Sequence, residues 1–262
     1  MRLVPYKYGS LNGYCVKGYE NLNIPSIPFD DLKNNPTEPF ELMKSTKSRC
    51  TVRFDFICNG RKNRIYVKRY KTWRRLRRIG YLFVKSKARR EWLLGFELLN
   101  RGINTPLPLV MAEKKNKQFV TENYLVTMSL EPMRPVAEIL SEMTDPKQKM
   151  DFVRKTAQFI RTVHEQGFYH DDFSLFHVFY DPENPSADFA LIDLDNGRLF
   201  KKVSNYRRIK NLFQVFRSVN EKAMSLDQRI KFLETYLGRP PEKRILERIN
   251  SMALRKIGQT VL

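Results

Sequence analysis

The side chains best suited to chemistry fall in two places in the second half of the 262-residue chain. The run Gly167-Phe168-Tyr169-His170-Asp171-Asp172-Phe173-Ser174-Leu175-Phe176-His177 lies between a helical pattern and a strand pattern. A loop there carries side chains on a rigid frame. Farther on, the apolar run Phe189-Ala190-Leu191-Ile192 ends in Asp193. A strand that apolar is buried on both faces, so a carboxylate at its end calls for a cation. Asp172 and Asp193 together suit metal-assisted phosphoryl transfer, one holding Mg2+ against nucleotide phosphates and the other orienting the attacking hydroxyl. Magnesium takes one or two carboxylates plus phosphate oxygens, so few protein ligands suffice. The same chemistry needs a cation on a strand of the first half, with a carboxylate to hold it. Lys68 in Ile65-Tyr66-Val67-Lys68-Arg69-Tyr70 fits, and Glu91 or Glu97 on the helix that follows could reach it.

These residues need elements to place them. Arg49 to Ile57 alternates around Val52, Phe54 and Phe56, Asn59-Gly60 supplies a hairpin turn, and Arg64–Tyr70 reads as the returning strand. From Ser86 to Arg101 the period becomes helical, with Ser86 as N-cap, Gly102 past the end and Pro106 as a stop. Strands are expected over Leu107–Glu113 and Gln118–Met128. In the second half Asp145-Pro146 starts a helix whose stripe of Val153, Ala157, Ile160 and His164 closes at Gly167. Short strands over His177–Asp181 and Asp188–Asp193 follow, then helices over about 204–222, 226–237 and 241–255. Residues 1–40 hold five of the fourteen prolines and read as an irregular arm with one short strand. The expected organisation is therefore an arm (1–40), a small β-rich part with one long helix (41–130) and a mostly helical part (131–262), an α+β fold.

Composition narrows the classes of function. The chain is 42% hydrophobic, which excludes wholesale disorder. No apolar run approaches the ~18–20 residues of a membrane span. The first fifteen residues lack the apolar core of a secretory signal, so the expected location is the cytoplasm. Cys15, Cys50 and Cys58 have no CxxC spacing and read as buried or idle thiols. With 48 Lys+Arg against 28 Asp+Glu, the net charge of +20 implies anionic partners. Residues 68–90 hold eleven Lys/Arg interleaved with Tyr70, Trp73, Leu76, Ile79, Tyr81, Leu82 and Phe83, a pattern suited to an anionic membrane surface or a phosphate-rich lipid. Nucleic acid is not favoured, because no RRM, KH or zinc-finger signature is present. His164, His170 and His177 are the only histidines, and a metal hydrolase built on them is a second reading. The helical stripe that contains His164 argues instead for a core role there.

Taken in order, the pieces resemble the lipopolysaccharide core kinases, the Kdo/heptose kinase family, which are small protein-kinase-like phosphotransferases. Val67-Lys68-Arg69-Tyr70 resembles that family's strand lysine, and Arg90-Glu91-Trp92 and Asn104-Thr105-Pro106 its helix and following turn. His170-Asp171-Asp172 sits where kinase-like proteins have His-Arg-Asp, and Ile192-Asp193-Leu194 where they have Asp-Phe-Gly. The resemblance covers roughly residues 44–220. It implies a bilobal kinase-like fold with a five-strand first lobe and ATP bound in the cleft between the lobes. It implies Lys68 on the ATP phosphates, Glu91 as its ion-pair partner, Asp172 as the hydroxyl-orienting base and Asp193 as the Mg2+ ligand. Thr127–Glu131, with Met128 and Glu131, would be the hinge for adenine. The implied acceptor is a sugar hydroxyl, heptose or Kdo, of the lipopolysaccharide core oligosaccharide, reached peripherally at the cytoplasmic face of the inner membrane. A kinase-like protein with another acceptor, or a degenerate one that binds an anionic partner, is the alternative.

Departures from the pattern are specific. Asp171 replaces the usual Arg, and His177 stands where most kinases have the Asn that binds a second Mg2+. His is an unusual magnesium ligand, so a one-metal site or help from Asp195 is the alternative to His177 as a ligand. No G-x-G-x-x-G occurs near Lys44-Ser45-Thr46-Lys47-Ser48. A loop there that covers the phosphates would use Ser45, Thr46, amides and lysines. Only about ten residues separate Asp193 from the helix near Ser204, which disfavours a protein acceptor.

Overall fold

Two-residue alternation shapes the first part of the chain, seen in a computed structural model that describes residues 1–71, 84–184 and 188–262. It contains strands β1 (Leu3–Tyr8), β2 (Leu11–Val16), β3 (Glu41–Ser45), β4 (Arg49–Cys58) and β5 (Arg61–Lys71). Helix α1 (Lys87–Asn100) and strands β6 (Pro108–Asn116) and β7 (Phe119–Met128) follow. These seven strands form one antiparallel sheet in the order β1-β2-β6-β7-β5-β4-β3. Successive side chains on a strand point to opposite faces. On β5, Ile65 and Val67 therefore join one core, with Val52, Val126 and the segment Leu22, Ile24, Phe29 and Leu32 packed over that face. Tyr70 belongs to the other face, where Ala88 and Trp92 of α1 pack against Met111 and Leu125.

The expectation for residues 1–40 needs correction. Residues 3–16 are not irregular: they form the β1–β2 hairpin that extends the sheet from β6. Tyr6, Leu11 and Cys15 point into the core, a period of two that Pro5 and the glycines obscure. Gly13 has a packing reason, since a Cβ there would meet the Met111 carbonyl oxygen at 1.8 Å. The sheet accordingly has seven strands rather than five. Four of the eleven Lys/Arg over residues 68–90, and six of the seven apolar residues named between them, fall on residues 72–83, which lie outside the described residues.

The second part contains β8 (Arg134–Pro135), α2 (Val136–Glu142), α3 (Pro146–Glu165), β9 (Phe168–His170), β10 (Val178–Tyr180) and β11 (Ala190–Leu191). After them come β12 (Gly197–Leu199), α4 (Asn205–Arg217), α5 (Leu226–Leu237) and α6 (Lys243–Ile257). Asp145 caps α3 by accepting from the Gln148 amide at 2.7 Å, with Pro146 in the first turn. The strands are shorter than the sequence implied, and α2 was not foreseen. Small sheets β11-β10-β8 and β12-β9 frame the polar run. Gly167 closes α3 at φ +85°, where a Cβ would meet the Phe200 carbonyl at 2.1 Å, so the turn into β9 requires glycine.

Contacts divide the chain into two compact units, residues 1–97 with 106–130 and residues 98–105 with 131–262. The chain is α+β, with an antiparallel sheet in the first unit and a mostly helical second unit. Among the described residues no helix is long and apolar enough to cross a membrane. All three cysteines are buried free thiols, and burial pushes Cys15 up to about 11.

Candidate active site

In the first unit, the face of β5 that meets α1 carries Lys68 and Tyr70. Lys68 Nζ reaches Glu91 Oε2 at 2.9 Å, and the Tyr70 hydroxyl donates to the other carboxylate oxygen. Glu91 is 3% exposed and the Lys68 side chain 15%. The helix is set by its own start: Ser86 Oγ accepts from the Arg89 amide at 3.3 Å and donates to Glu113 at 2.6 Å. Buried Asn123 on β7 accepts from the Ala88 amide at 2.9 Å. These bonds fix the phase of α1, which aims Glu91 rather than Glu97 at Lys68.

Ser45 and Thr46 do not join that pair. Ser45 is in register with Cys50, a member of the core on the opposite face, whereas Lys68 is in register with Thr51. Thr46 holds its own turn, accepting from the Arg49 amide at 3.0 Å and donating to the Arg49 carbonyl at 3.1 Å. In the expected hinge, the Met128 and Ser129 amides donate to the Leu107 and Arg64 carbonyls, both at 2.9 Å. Glu131 begins the second unit and precedes Pro132.

In the second unit a single imidazole ties the two carboxylate loops together through their backbones. His170 Nδ1 accepts from the Asp172 amide at 3.2 Å, which places the proton on Nε2, 2.9 Å from the Asp193 carbonyl oxygen. Asp193 is left-handed, φ 56° and ψ 57°, an uncommon state for a residue with a side chain. The Asn211 amide group on α4 donates to the His170 carbonyl at 2.7 Å, and that of Gln214 to the Asp171 carbonyl at 2.5 Å. Sequence reasoning missed Asn211 and Gln214. Their signal was available, as two amides on the buried side of a helix beside Leu212, Phe213 and Phe216. Arg217 was also missed; its Nη2 lies 2.9 Å from Asp172 Oδ1, at a carboxylate whose side chain is 63% exposed.

Asp171 accepts from the Tyr169 hydroxyl at 2.9 Å and pairs with Lys210 at 3.2 Å and Arg198 at 3.3 Å. Burial alone would raise its pKa, but the bonds from Tyr169 and Lys210 and the two cations outweigh that and hold it low. The carboxylate thus anchors the residues after Asp193 by internal ion pairs.

His164 is fully buried, with Nδ1 at 2.7 Å from the Tyr236 hydroxyl and Nε2 at 3.1 Å from Asn211 Oδ1. Burial lowers its pKa to about 4. Both nitrogens are occupied, so the histidine-cluster hydrolase reading is wrong. His177 differs: burial lowers its pKa, opposed by the Asp193 charge, and Nδ1 is buried without a hydrogen-bond partner. Among the described residues no three Asp, Glu, His or Cys side chains converge as a ready-made metal cage. That suits magnesium, which binds one or two carboxylates and completes its shell with phosphate and water oxygens. Asp193 would supply the carboxylate, and the Nδ1 atom of His177, buried without a hydrogen-bond partner, is a further candidate ligand atom.

Comparison with known proteins places the chain in a family. The profile of the lipopolysaccharide kinase (Kdo/WaaP) family matches residues 35–236. The lipopolysaccharide core heptose(I) kinase WaaP of Escherichia coli is 20% identical over 81% of this chain and 82% of its own length. WaaP of Pseudomonas aeruginosa is 24% identical over 58% of this chain and 60% of its own. A solved structure of WaaP in complex with acyl carrier protein shares the fold at a TM-score of 0.65 and 20% identity, covering 97% of this chain and 99% of that one. A family match spanning most of the chain, on a fold of the same kind, settles the class: this protein is a kinase and belongs to the lipopolysaccharide kinase (Kdo/WaaP) family.

Proposed function

We propose that the chain transfers the γ-phosphoryl group of ATP to a sugar hydroxyl of the lipopolysaccharide inner core, heptose before Kdo. The observation that carries the ATP reading is the buried Lys68–Glu91 pair. An ammonium held on a strand by a helix carboxylate is positioned to meet phosphate oxygens, and Tyr70 keeps Glu91 turned toward it. The heptose preference rests on the two relatives named above.

In this reading Asp172 orients the acceptor hydroxyl and takes its proton, while Arg217, 2.9 Å from Asp172 Oδ1, holds the carboxylate in place until the acceptor arrives. Asp193 holds Mg2+, with His177 or Asp195 as a secondary contact. Bound there, the ion would neutralise charge on the transferring group. His170 holds both loops in place through its two ring nitrogens. The hinge over Thr127–Glu131, with Met128 and Glu131, would take adenine. The reaction then leans on positioning and electrostatics rather than covalent chemistry. Work at the cytoplasmic face of the inner membrane, with the basic run over residues 68–90 docked on anionic lipid, completes the proposal.

The test is transfer from labelled ATP to purified core lacking phosphate, with and without Mg2+, followed by mapping of the labelled sugar. Metal-dependent label on heptose is expected. Label on Kdo would move the acceptor, and no label in either sugar would overturn the substrate assignment.

A further inference from the structure

The Lys68–Glu91 pair leaves unused a second basic feature of the first unit, on the opposite face of the sheet. A cavity of about 160 Å³ opens there between the β3–β4 turn and the segment around Phe29. Five basic side chains line it, Lys33, Lys47, Arg49, Arg69 and Lys71, against one carboxylate, Asp30. Arg69 is almost fully buried, and its guanidinium lies over the Phe29 ring at 4.7 Å. Arg69 and Lys71 each grip both oxygens of Asp30, at 2.5–3.1 Å and 2.7–2.9 Å. Those bonds hold its carboxyl down to about 2, so it stays charged in any ordinary buffer.

We propose that this cavity is a second anion site that binds a phosphate monoester group, separate from the nucleotide phosphates. Asp30 fixes the geometry by drawing Arg69 and Lys71 to one point, but one carboxylate does not balance five cations. The surplus sits on Lys33 and Lys47, both exposed at the rim, where an incoming dianion meets them. Ser45, also in the lining, adds a hydroxyl able to donate to it. A phosphate monoester matches this lining better than a carboxylate, since it carries more charge and more acceptor oxygens. The volume holds several waters or one such group. Ser45, expected on the nucleotide, is thereby assigned to this second site. The group could arrive on a lipid headgroup or on a soluble compound, and the chemistry of recognition is the same.

The experiment titrates inorganic phosphate into the full chain without nucleotide, by calorimetry. A parallel arm measures sedimentation with phosphatidylcholine vesicles containing phosphatidic acid. Lys33→Glu combined with Lys71→Met is expected to weaken phosphate binding about tenfold or more, from a change of three charge units. Lys68→Ala should leave this binding as it is. Asp30→Asn removes the competing anion and should strengthen phosphate binding, a gain that a purely structural role would not produce. If the double variant also leaves the vesicles, the group is carried by lipid; if it stays, the source is soluble. Wild-type protein that binds no phosphate, or a double variant that binds it as wild type does, would overturn the site. ATP transfer is not involved, so failure here is distinct from failure of the kinase reading.

Discussion

The two units prepare their functional groups by opposite means. In the first, Lys68 and Glu91 are buried and face each other directly, fixed by sheet register and by the phase of α1. In the second, the Asp172 side chain is largely exposed, and the order lies in the backbone beneath it, held by His170, Asn211 and Gln214. A binding cation is made rigid by burial with its partner. On the proposed reading, a carboxylate that would meet an acceptor and exchange a proton is left accessible on a rigid loop. The difference predicts that damage to the first unit appears mainly as lost stability and nucleotide affinity, and damage to the second mainly as lost turnover.

The largest effect is expected at Asp193. Asp193→Asn should lower transfer by about 10³-fold or more, the scale of several kcal/mol of charge stabilisation. Steady-state kinetics over a Mg2+ titration would check it, and wild-type rates at saturating metal would remove Asp193 from the ligand set.

Next comes Glu91→Ala, which strands the Lys68 ammonium in a nearly buried site and leaves the Tyr70 hydroxyl without its acceptor. Breaking a buried pair from one side costs about 3–5 kcal/mol. Urea denaturation should register it, and Lys68→Met, which leaves the more deeply buried Glu91 without its cation, should cost a similar amount. Equal small losses in both would mean that the pair is not a buried anchor.

Sequence made the first unit's pair legible and hid the second unit's frame, for physical reasons. Lys68 and Glu91 lie in elements with clear periods of two and 3.6, and only the choice between Glu91 and Glu97 required the helix phase. The frame around Asp172 is side chain to backbone, and backbone acceptors leave no trace in residue identity. Asn211 and Gln214 betray themselves only as amides on the apolar side of an amphipathic helix, which does not say what they bind. Residues 3–16 were misread because Pro5, Gly9 and Gly13 mask an alternation whose meaning depends on a distant partner, β6. The face that Ser45 takes was likewise illegible: β3 is short, and its register shifts between Leu42 and Lys44.

Two smaller effects sharpen the contrast. His170→Ala removes the bond from each loop, and a shift of the base should cut kcat by about 10²-fold with little change in KM for ATP. His170→Gln, able to donate and accept, should restore part of it. An unchanged kcat would show that the loops hold themselves.

The smallest effect is a pH dependence of stability at His164. Burial lowers its folded pKa to about 4, below its unfolded value of 6.5. The neutral ring's contribution is therefore complete above pH 6.5 and is lost as pH falls from there toward 4, because the unfolded chain binds the proton first. The slope is at most about 1.4 kcal/mol per pH unit. Melting curves across that window should become flatter in His164→Gln, and an equally steep decline would place the titration elsewhere.

Asp172→Asn gives the most direct test of the account. It leaves the loop backbone and the Lys68 pair untouched while removing the proton acceptor. The measurement is single-turnover transfer from ATP to the lipopolysaccharide core, with ATP affinity measured in parallel. The account predicts turnover lower by about 10²–10⁴-fold with ATP affinity unchanged. Transfer at the wild-type rate would contradict it.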